Sequence, residues 1–129
     1  LRALKKGGFQ DFLIEPFCDA IEFTVCVIEN RQGEAVSLIP LEIETDGILS
    51  YGKKYMPEDR TRYYCPPRFS EALIQKIRKD AERLFTTIGL RDAARIDGWV
   101  TEDGSIYFSD LNPVSGMEQN SFIFQQSTR

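Results

Sequence analysis

Ala94-Arg95-Ile96-Asp97-Gly98-Trp99-Val100, then Glu102-Asp103-Gly104, then Ser105-Ile106-Tyr107-Phe108-Ser109-Asp110-Leu111-Asn112: these residues decide how the 129-residue chain folds. Two strand-like runs flank Asp103-Gly104, a dipeptide that accepts the positive φ of a tight turn, so the stretch predicts an antiparallel hairpin. A two-residue turn at Asp103-Gly104 sets Asp97 opposite Asp110 and Arg95 opposite Asn112. Side chains repeat every second residue along a strand, so all four lie on one face. Two carboxylates across a pair, with Cβ atoms about 5 Å apart, repel unless something cationic sits between them. Arg95 offsets part of that repulsion. The oxygen-only set of Asp97, Asp110 and Asn112 suits Mg2+, which takes one or two carboxylates and completes its shell with water and substrate phosphate. The spacing thus points to magnesium–nucleotide chemistry. The other reading is a solvated hairpin face with an ordinary cross-strand ion pair.

Upstream of the hairpin, Ser70 can cap a helix whose apolar residues Leu73, Ile74, Ile77, Ala81, Leu84, Phe85 and Ile88 recur at helical spacing, and Gly89 ends it. Such a helix covers a sheet. Glu22 to Ile28 is β-branched and apolar enough for a buried strand, and Arg31-Gln32-Gly33 turns the chain into a second strand, Ala35 to Ile43. Between them and the helix, Thr45 to Phe69 carries Gly47, Gly52, Pro57, Pro66 and Pro67, which predicts a long connection of the kind that is either a functional lid or disordered. Leu1 to Lys6 reads as a helix remnant closed by Gly7-Gly8, and Phe12 to Glu15 as a short strand stopped by Pro16. No repeats interrupt this order. It indicates an α+β fold with a mainly antiparallel sheet packed by a helix.

Composition narrows the chemistry. A net charge of -4 argues against nonspecific nucleic-acid binding, which needs clustered Lys and Arg to displace counterions. No apolar run approaches the roughly 18 residues of a membrane span, and no signal-peptide core opens the chain. Cys18, Cys26 and Cys65 fit neither a zinc pattern nor an even disulfide framework and read as reduced, buried thiols of an intracellular protein. The absence of His removes Ser-His-Asp and Cys-His nucleophilic sites, leaving carboxylates, Lys, Arg, backbone amides and a hard metal ion. Both ends read as cut: the first residue is Leu, and the apolar pattern from Phe122 stops after a few residues.

Arg95-Ile96-Asp97, followed by Asp110-Leu111-Asn112-Pro113-Val114-Ser115-Gly116-Met117 and Ser121, resembles the C-terminal signature of D-alanine–D-alanine ligases, which belong to the ATP-grasp superfamily. Ile14-Glu15-Pro16-Phe17 and Glu22-Phe23-Thr24-Val25 resemble that family's adenine hinge and ribose-binding strand, and Lys53-Lys54-Tyr55 its lid. The resemblance implies a partial ATP-grasp domain over residues 1–129, the C-terminal, nucleotide- and metal-binding portion, without the N-terminal domain. Such a portion alone is expected to be inactive and poorly folded. By the same resemblance, Glu15 and the backbone at Phe17 and Cys18 hold the adenine amino group, Glu22 the ribose hydroxyls, Lys54 the γ-phosphate, and Tyr55 latches the lid. Asp97, Asp110 and Asn112 hold Mg2+ (or Mn2+) on the ATP phosphates. Arg95 and the Gly116 amide stabilise the acyl centre, and Ser121 binds the carboxylate of the second D-alanine.

The implied reaction activates one D-alanine as an acyl phosphate and joins it to the amine of another, with ATP and D-alanine as small-molecule partners and a homodimer as the family's common assembly. Two positions depart from the family pattern: Asp110 stands where Glu is usual, and Ser115 where Pro is usual. Another ATP-grasp carboxylate–amine ligase, and a degenerate Mg-ATP-binding module without turnover, therefore stay open. The wording from Ser115 to Ser121, with Ala94 to Trp99, is similar to ligase-like proteins of plants and algae. It carries the expectation of a plastid stroma, with bacterial cytoplasm as the other setting.

Overall fold

The computed structural model describes residues 19–45 and 61–128. Among these residues, six strands and two helices run in the order β1 (Ala20–Glu29), β2 (Ala35–Ser37), β3 (Leu41–Glu44), β4 (Arg62–Tyr64), α1 (Glu71–Ile88), β5 (Ala93–Thr101), β6 (Ile106–Asn112) and α2 (Phe122–Ser127). They form one sheet of order β4-β3-β1-β5-β6, with β2 also pairing with β1. Every strand pairing among the described residues is antiparallel. The α+β architecture read from the sequence is the one observed. The expected helix at Leu1 to Lys6 and strand at Phe12 to Glu15 lie outside the described residues.

Helix α1 begins and ends where its punctuation places it. The Ser70 side chain accepts the Leu73 N–H, and Gly89 closes the helix in the left-handed region at φ 78°, its N–H directed to the last-turn carbonyls. Its buried stripe is Ile74, Ile77, Ala81 and Phe85, of which the last three cluster with Phe23, Val25, Val27, Ala94, Ile96 and Val100 of the central strands. Strand β5 shows the consequence as strict alternation: Ala94, Ile96, Gly98 and Val100 are buried under the helix, and Arg95, Asp97 and Trp99 face the other way. Gly98 sits beneath Phe23, where an added Cβ would collide with the Tyr107 carbonyl oxygen and lie 2.8 Å from Phe23 Cζ.

Three details differ from the sequence reading. The strand expected over Ala35 to Ile43 is divided into β2 and β3 by Leu38-Ile39-Pro40, since Pro40 has no N–H to give a ladder. The expected long connection contains β4, three residues paired to β3. The hairpin loop is not a two-residue turn. Thr101 pairs with Ser105 around the three residues Glu102-Asp103-Gly104, with Gly104 at φ 80°.

That longer loop would misalign the metal face by one residue. A bulge at Ser109 restores it: Trp99 pairs with Tyr107 and Gly98 with Phe108, yet Asp97 pairs with Asp110 and Arg95 with Asn112. The bulge also lets Ile106, Phe108 and Leu111 all pack against the core, although the third has the opposite parity from the first two. Ser109 Oγ donates to the Asp97 carbonyl at 3.3 Å across the irregularity.

The α1 face includes one buried charge. Glu42 of β3 is 1% exposed. One of its oxygens accepts from Arg68 Nε and Nη2 and the other from the Arg68 N–H, so the residues leading into α1 are tied to the sheet. Arg68 also donates to Glu44, and this bond, followed by that from the Tyr64 hydroxyl, holds the Glu44 carboxyl below the usual range.

Candidate functional site

The face of the sheet away from α1 is polar where β1, β5 and β6 meet. Thr24 pairs with Asp97, and Asp97 with Asp110, so three strands bring these side chains into one row. The Asp97 carboxylate accepts four bonds: Thr24 Oγ1 at 2.6 Å and Arg95 Nε at 3.0 Å on Oδ1, with Arg95 Nη2 at 3.0 Å and Asn112 Nδ2 at 3.4 Å on Oδ2. Asn112 Nδ2 also donates to Asp110 Oδ2 at 3.1 Å. The ion pair therefore runs along β5, from Arg95 to Asp97, rather than across the hairpin. It is bidentate, and its side chains are only 14% and 15% exposed.

Oδ1 of Asp97 is filled by Thr24 and Arg95. Oδ2 accepts Arg95 Nη2 and a long, weak contact from Asn112, whose amide bridges both carboxylates where two negative charges ask for a cation. The amide N–H here stands in for a positive charge. Two carboxylates and an amide oxygen are hard donors, so the residues present fit Mg2+. No three-member His, Cys, Asp or Glu cluster for a metal occurs among the described residues, which limits this site to two carboxylates plus Asn112.

Helix α2 lies over the β1 part of this face. Gln126, 1% exposed, accepts the Cys26 N–H on Oε1 at 2.8 Å and donates from Nε2 to the Thr24 carbonyl at 3.3 Å. Phe122 touches the Tyr63 ring, centroids 5.4 Å apart, and lies 5.7 Å from the Arg95 guanidinium carbon. Beneath the helix the Cys26 thiol is pushed up to about 12, chiefly by burial, with Arg95 opposing and Asp97 adding. It is a free, buried thiol, as the sequence reading expects, whereas Cys65 is free but only half-buried and Cys18 lies outside the described residues.

The remaining expected residues are dispersed. Glu22 lies on β1 opposite Trp99 and half-buried, on the same face as Thr24. Gly116 is exposed in the loop after β6, and a Cβ there would meet nothing within 4 Å, so local packing does not demand its glycine. Ser121 sits at the N-cap position of α2 but makes no capping bond, and its Oγ is buried without a hydrogen-bond partner. Glu15, Phe17, Cys18, Lys54 and Tyr55 lie outside the described residues. The sequence reading missed Thr24 and Gln126. Thr24 gave one usable signal, a hydroxyl within the otherwise apolar run from Phe23 to Ile28.

Among the described residues, an antiparallel sheet covered by α1 is consistent with the C-terminal portion of an ATP-grasp fold. The chain belongs to the family described as D-ala D-ala ligase C-terminus, whose model matches residues 3–129. It is similar to the D-alanine–D-alanine ligase of Mannheimia succiniciproducens, 33% identical over 111 residues, 86% of this chain and 34% of that protein. It is also similar to that of Dechloromonas aromatica, 37% identical over 102 residues, 79% of this chain and 32% of that protein. Among solved structures, D-alanyl-alanine synthetase A of Vibrio cholerae superposes with a TM-score of 0.71 at 27% identity, covering 88% of this chain and 35% of that one. The chain spans about a third of the length of the curated relatives it matches. These relatives are bacterial and lend no support to the plastid setting expected from Ser115 to Ser121.

Proposed function

We propose that this chain is the nucleotide- and metal-binding portion of an ATP-dependent ligase that joins two D-alanines through an acyl phosphate. The observation that carries the reading is the pairing of Asp97 with Asp110, bridged by Asn112 and flanked by Arg95. That arrangement suits Mg2+ held against phosphate, and it stands at the positions the family signature names. A bound Mg2+ would supply charge neutralisation at the ATP phosphates.

The side chains do the rest by position. Asp97, Asp110 and Asn112 would hold Mg2+ or Mn2+, and Thr24 keeps Asp97 turned toward them. Arg95, fixed by two bonds to Asp97, presents a permanent cation beside the phosphoryl group and, with the Gly116 amide, steadies charge at the acyl carbon. Glu22 would take the ribose hydroxyls, Glu15 with the backbone at Phe17 and Cys18 would hold adenine, Lys54 would reach the γ-phosphate, and Tyr55 would latch the lid. The unpartnered, buried Oγ of Ser121 supports a donor waiting for the carboxylate of the acceptor D-alanine. The part of the relatives' length beyond this chain would provide the first D-alanine site.

ADP release from the intact protein, measured with D-alanine against other amino acids, tests this. D-alanine-dependent release with dipeptide formation is expected. Release with a different amine sinks the substrate assignment, and Mg-ATP binding without amino-acid-dependent release sinks the ligase itself.

A further inference from the structure

We propose that Gln126 is a positioning residue for the acceptor site: its side-chain amide fills the break between β2 and β3 and so fixes α2, with Ser121, relative to Asp97. This rests on the ligase reading and deepens it, since neither the sequence motifs nor the family signature name position 126.

The break arises from the chain itself. Strand β1 pairs with β3 through Glu22, Phe23 and Thr24 and with β2 through Val27, Ile28 and Glu29. Cys26 lies in neither register. Leu38 donates to its carbonyl at 2.8 Å, and the Cys26 N–H, buried beneath α2, has the Gln126 Oε1 as its acceptor. A buried amide left without an acceptor is costly, so this bond is a strong constraint. The Gln126 Nε2 then donates to the Thr24 carbonyl, so the side-chain amide bonds β1 through both its oxygen and its nitrogen, as the peptide group of a neighbouring strand would.

Helix α2 needs that constraint. It has six residues, too few to persist on its own bonds, and its N-cap serine makes no capping bond. Its place is set by contacts to the sheet, of which the Phe122 ring contacts are adaptable and the two Gln126 bonds directional. A Met or Leu at 126 would keep the burial and lose the direction.

Thr24 gives the constraint its functional meaning. Its carbonyl holds Gln126, and its hydroxyl holds Asp97 Oδ1 at 2.6 Å. One strand residue is thus the common reference for the serine that would bind the acceptor carboxylate and the carboxylate that would hold the metal. Peptide-bond formation requires the acceptor amine within about 3–3.5 Å of the activated acyl carbon, so drift of α2 would act on the acceptor more than on ATP.

The test compares Gln126→Met with the unmodified intact protein, using a two-site D-alanine saturation curve and amide hydrogen exchange. We expect the acceptor KM to rise about tenfold or more, the ATP KM to stay within about twofold, and the Cys26 and α2 amides to exchange faster. Gln126→Glu, which keeps an acceptor for the Cys26 N–H, should show a smaller rise. Acceptor and ATP constants moving together, or unchanged exchange at Cys26, overturns the proposal. If the unmodified protein shows no D-alanine-dependent ADP release, the ligase reading falls, and exchange at Cys26 alone decides the anchoring: faster exchange sustains it and unchanged exchange overturns it.

Discussion

Asp97 and Gly98 are neighbours on β5 whose surroundings share almost nothing. Asp97 looks out from the polar face, its carboxylate held by Thr24, Arg95 and Asn112. Gly98 looks into the core, where Phe23 leaves no room for a methyl group. The same alternation runs through β1, with Phe23 and Val25 toward α1 and Thr24 and Cys26 away from it. On one face residue identity is set by volume, and on the other by hydrogen-bond direction and charge. The two faces should therefore fail differently.

The largest effect expected is on the polar face. In the intact protein, Arg95→Ala or Asp97→Asn should lower the rate of dipeptide formation by at least about 10²–10³-fold, the loss typical of removing a charge-stabilising donor. Near-normal yield from either would break the functional side of the comparison.

One residue along, Gly98→Ala should do the reverse. A methyl group forced against a carbonyl oxygen and the Phe23 ring cannot be relieved by a side-chain shift alone, so the variant should lose about 1–3 kcal/mol of stability in urea melts. Its rate per folded molecule should be nearly unchanged. A stable Gly98→Ala with impaired turnover would show that the faces are not separable.

The same division explains what was legible beforehand. Apolar periodicity and caps located α1 from Ser70 to Gly89, because local chemistry dictates both its ends. The pairing of Asp97 with Asp110 was also legible, although the loop and the strand each depart by one residue from a regular hairpin and the two departures cancel. A two-residue turn was expected where a three-residue loop occurs, and the bulge at Ser109 compensates. The bulge had a signal of its own, since Ile106, Phe108 and Leu111 cannot share one face of a regular strand. The division of β2 from β3, and Gln126 docking into it, was not legible. It depends on two segments a hundred residues apart, and periodicity reports only on neighbours. Ser121 was named through the signature, but its unpartnered state emerges only once α2 is packed.

A smaller effect sharpens the boundary between structure and site. Thr24 is fully buried, as a core residue would be, yet its hydroxyl serves the polar face. Thr24→Val keeps the volume and removes the donor, leaving Asp97 Oδ1 with Arg95 alone. Loss of a bond that orients a metal-holding carboxylate typically weakens metal affinity by about 10–100-fold. Mn2+ titration of the intact protein, with Thr24→Ser as the variant that retains the hydroxyl, should show weaker binding for Val and near-recovery for Ser. Equal weakening in both would make Thr24 a packing residue only.

The smallest effect is absent at neutral pH and comes from Cys26, on the polar face but sealed under α2. Burial raises its thiol from 9.0 to about 12 in the folded protein. Between those values the unfolded chain releases a proton that the folded one retains. The folded state thus binds more protons, and stability falls as pH rises, by up to about 1.4 kcal/mol per pH unit from this group. Well below pH 9.0 the thiol is protonated in both states and contributes no slope. Cys26→Ala leaves a small cavity that costs the same at every pH, so it should reduce the alkaline slope without changing its sign elsewhere. Urea melts at pH 8 and pH 10 should give parallel losses for other titrating groups but a shallower loss for Cys26→Ala. Identical slopes would mean that solvent reaches Cys26 under α2, and that the polar face is wet where Gln126 is placed to close it.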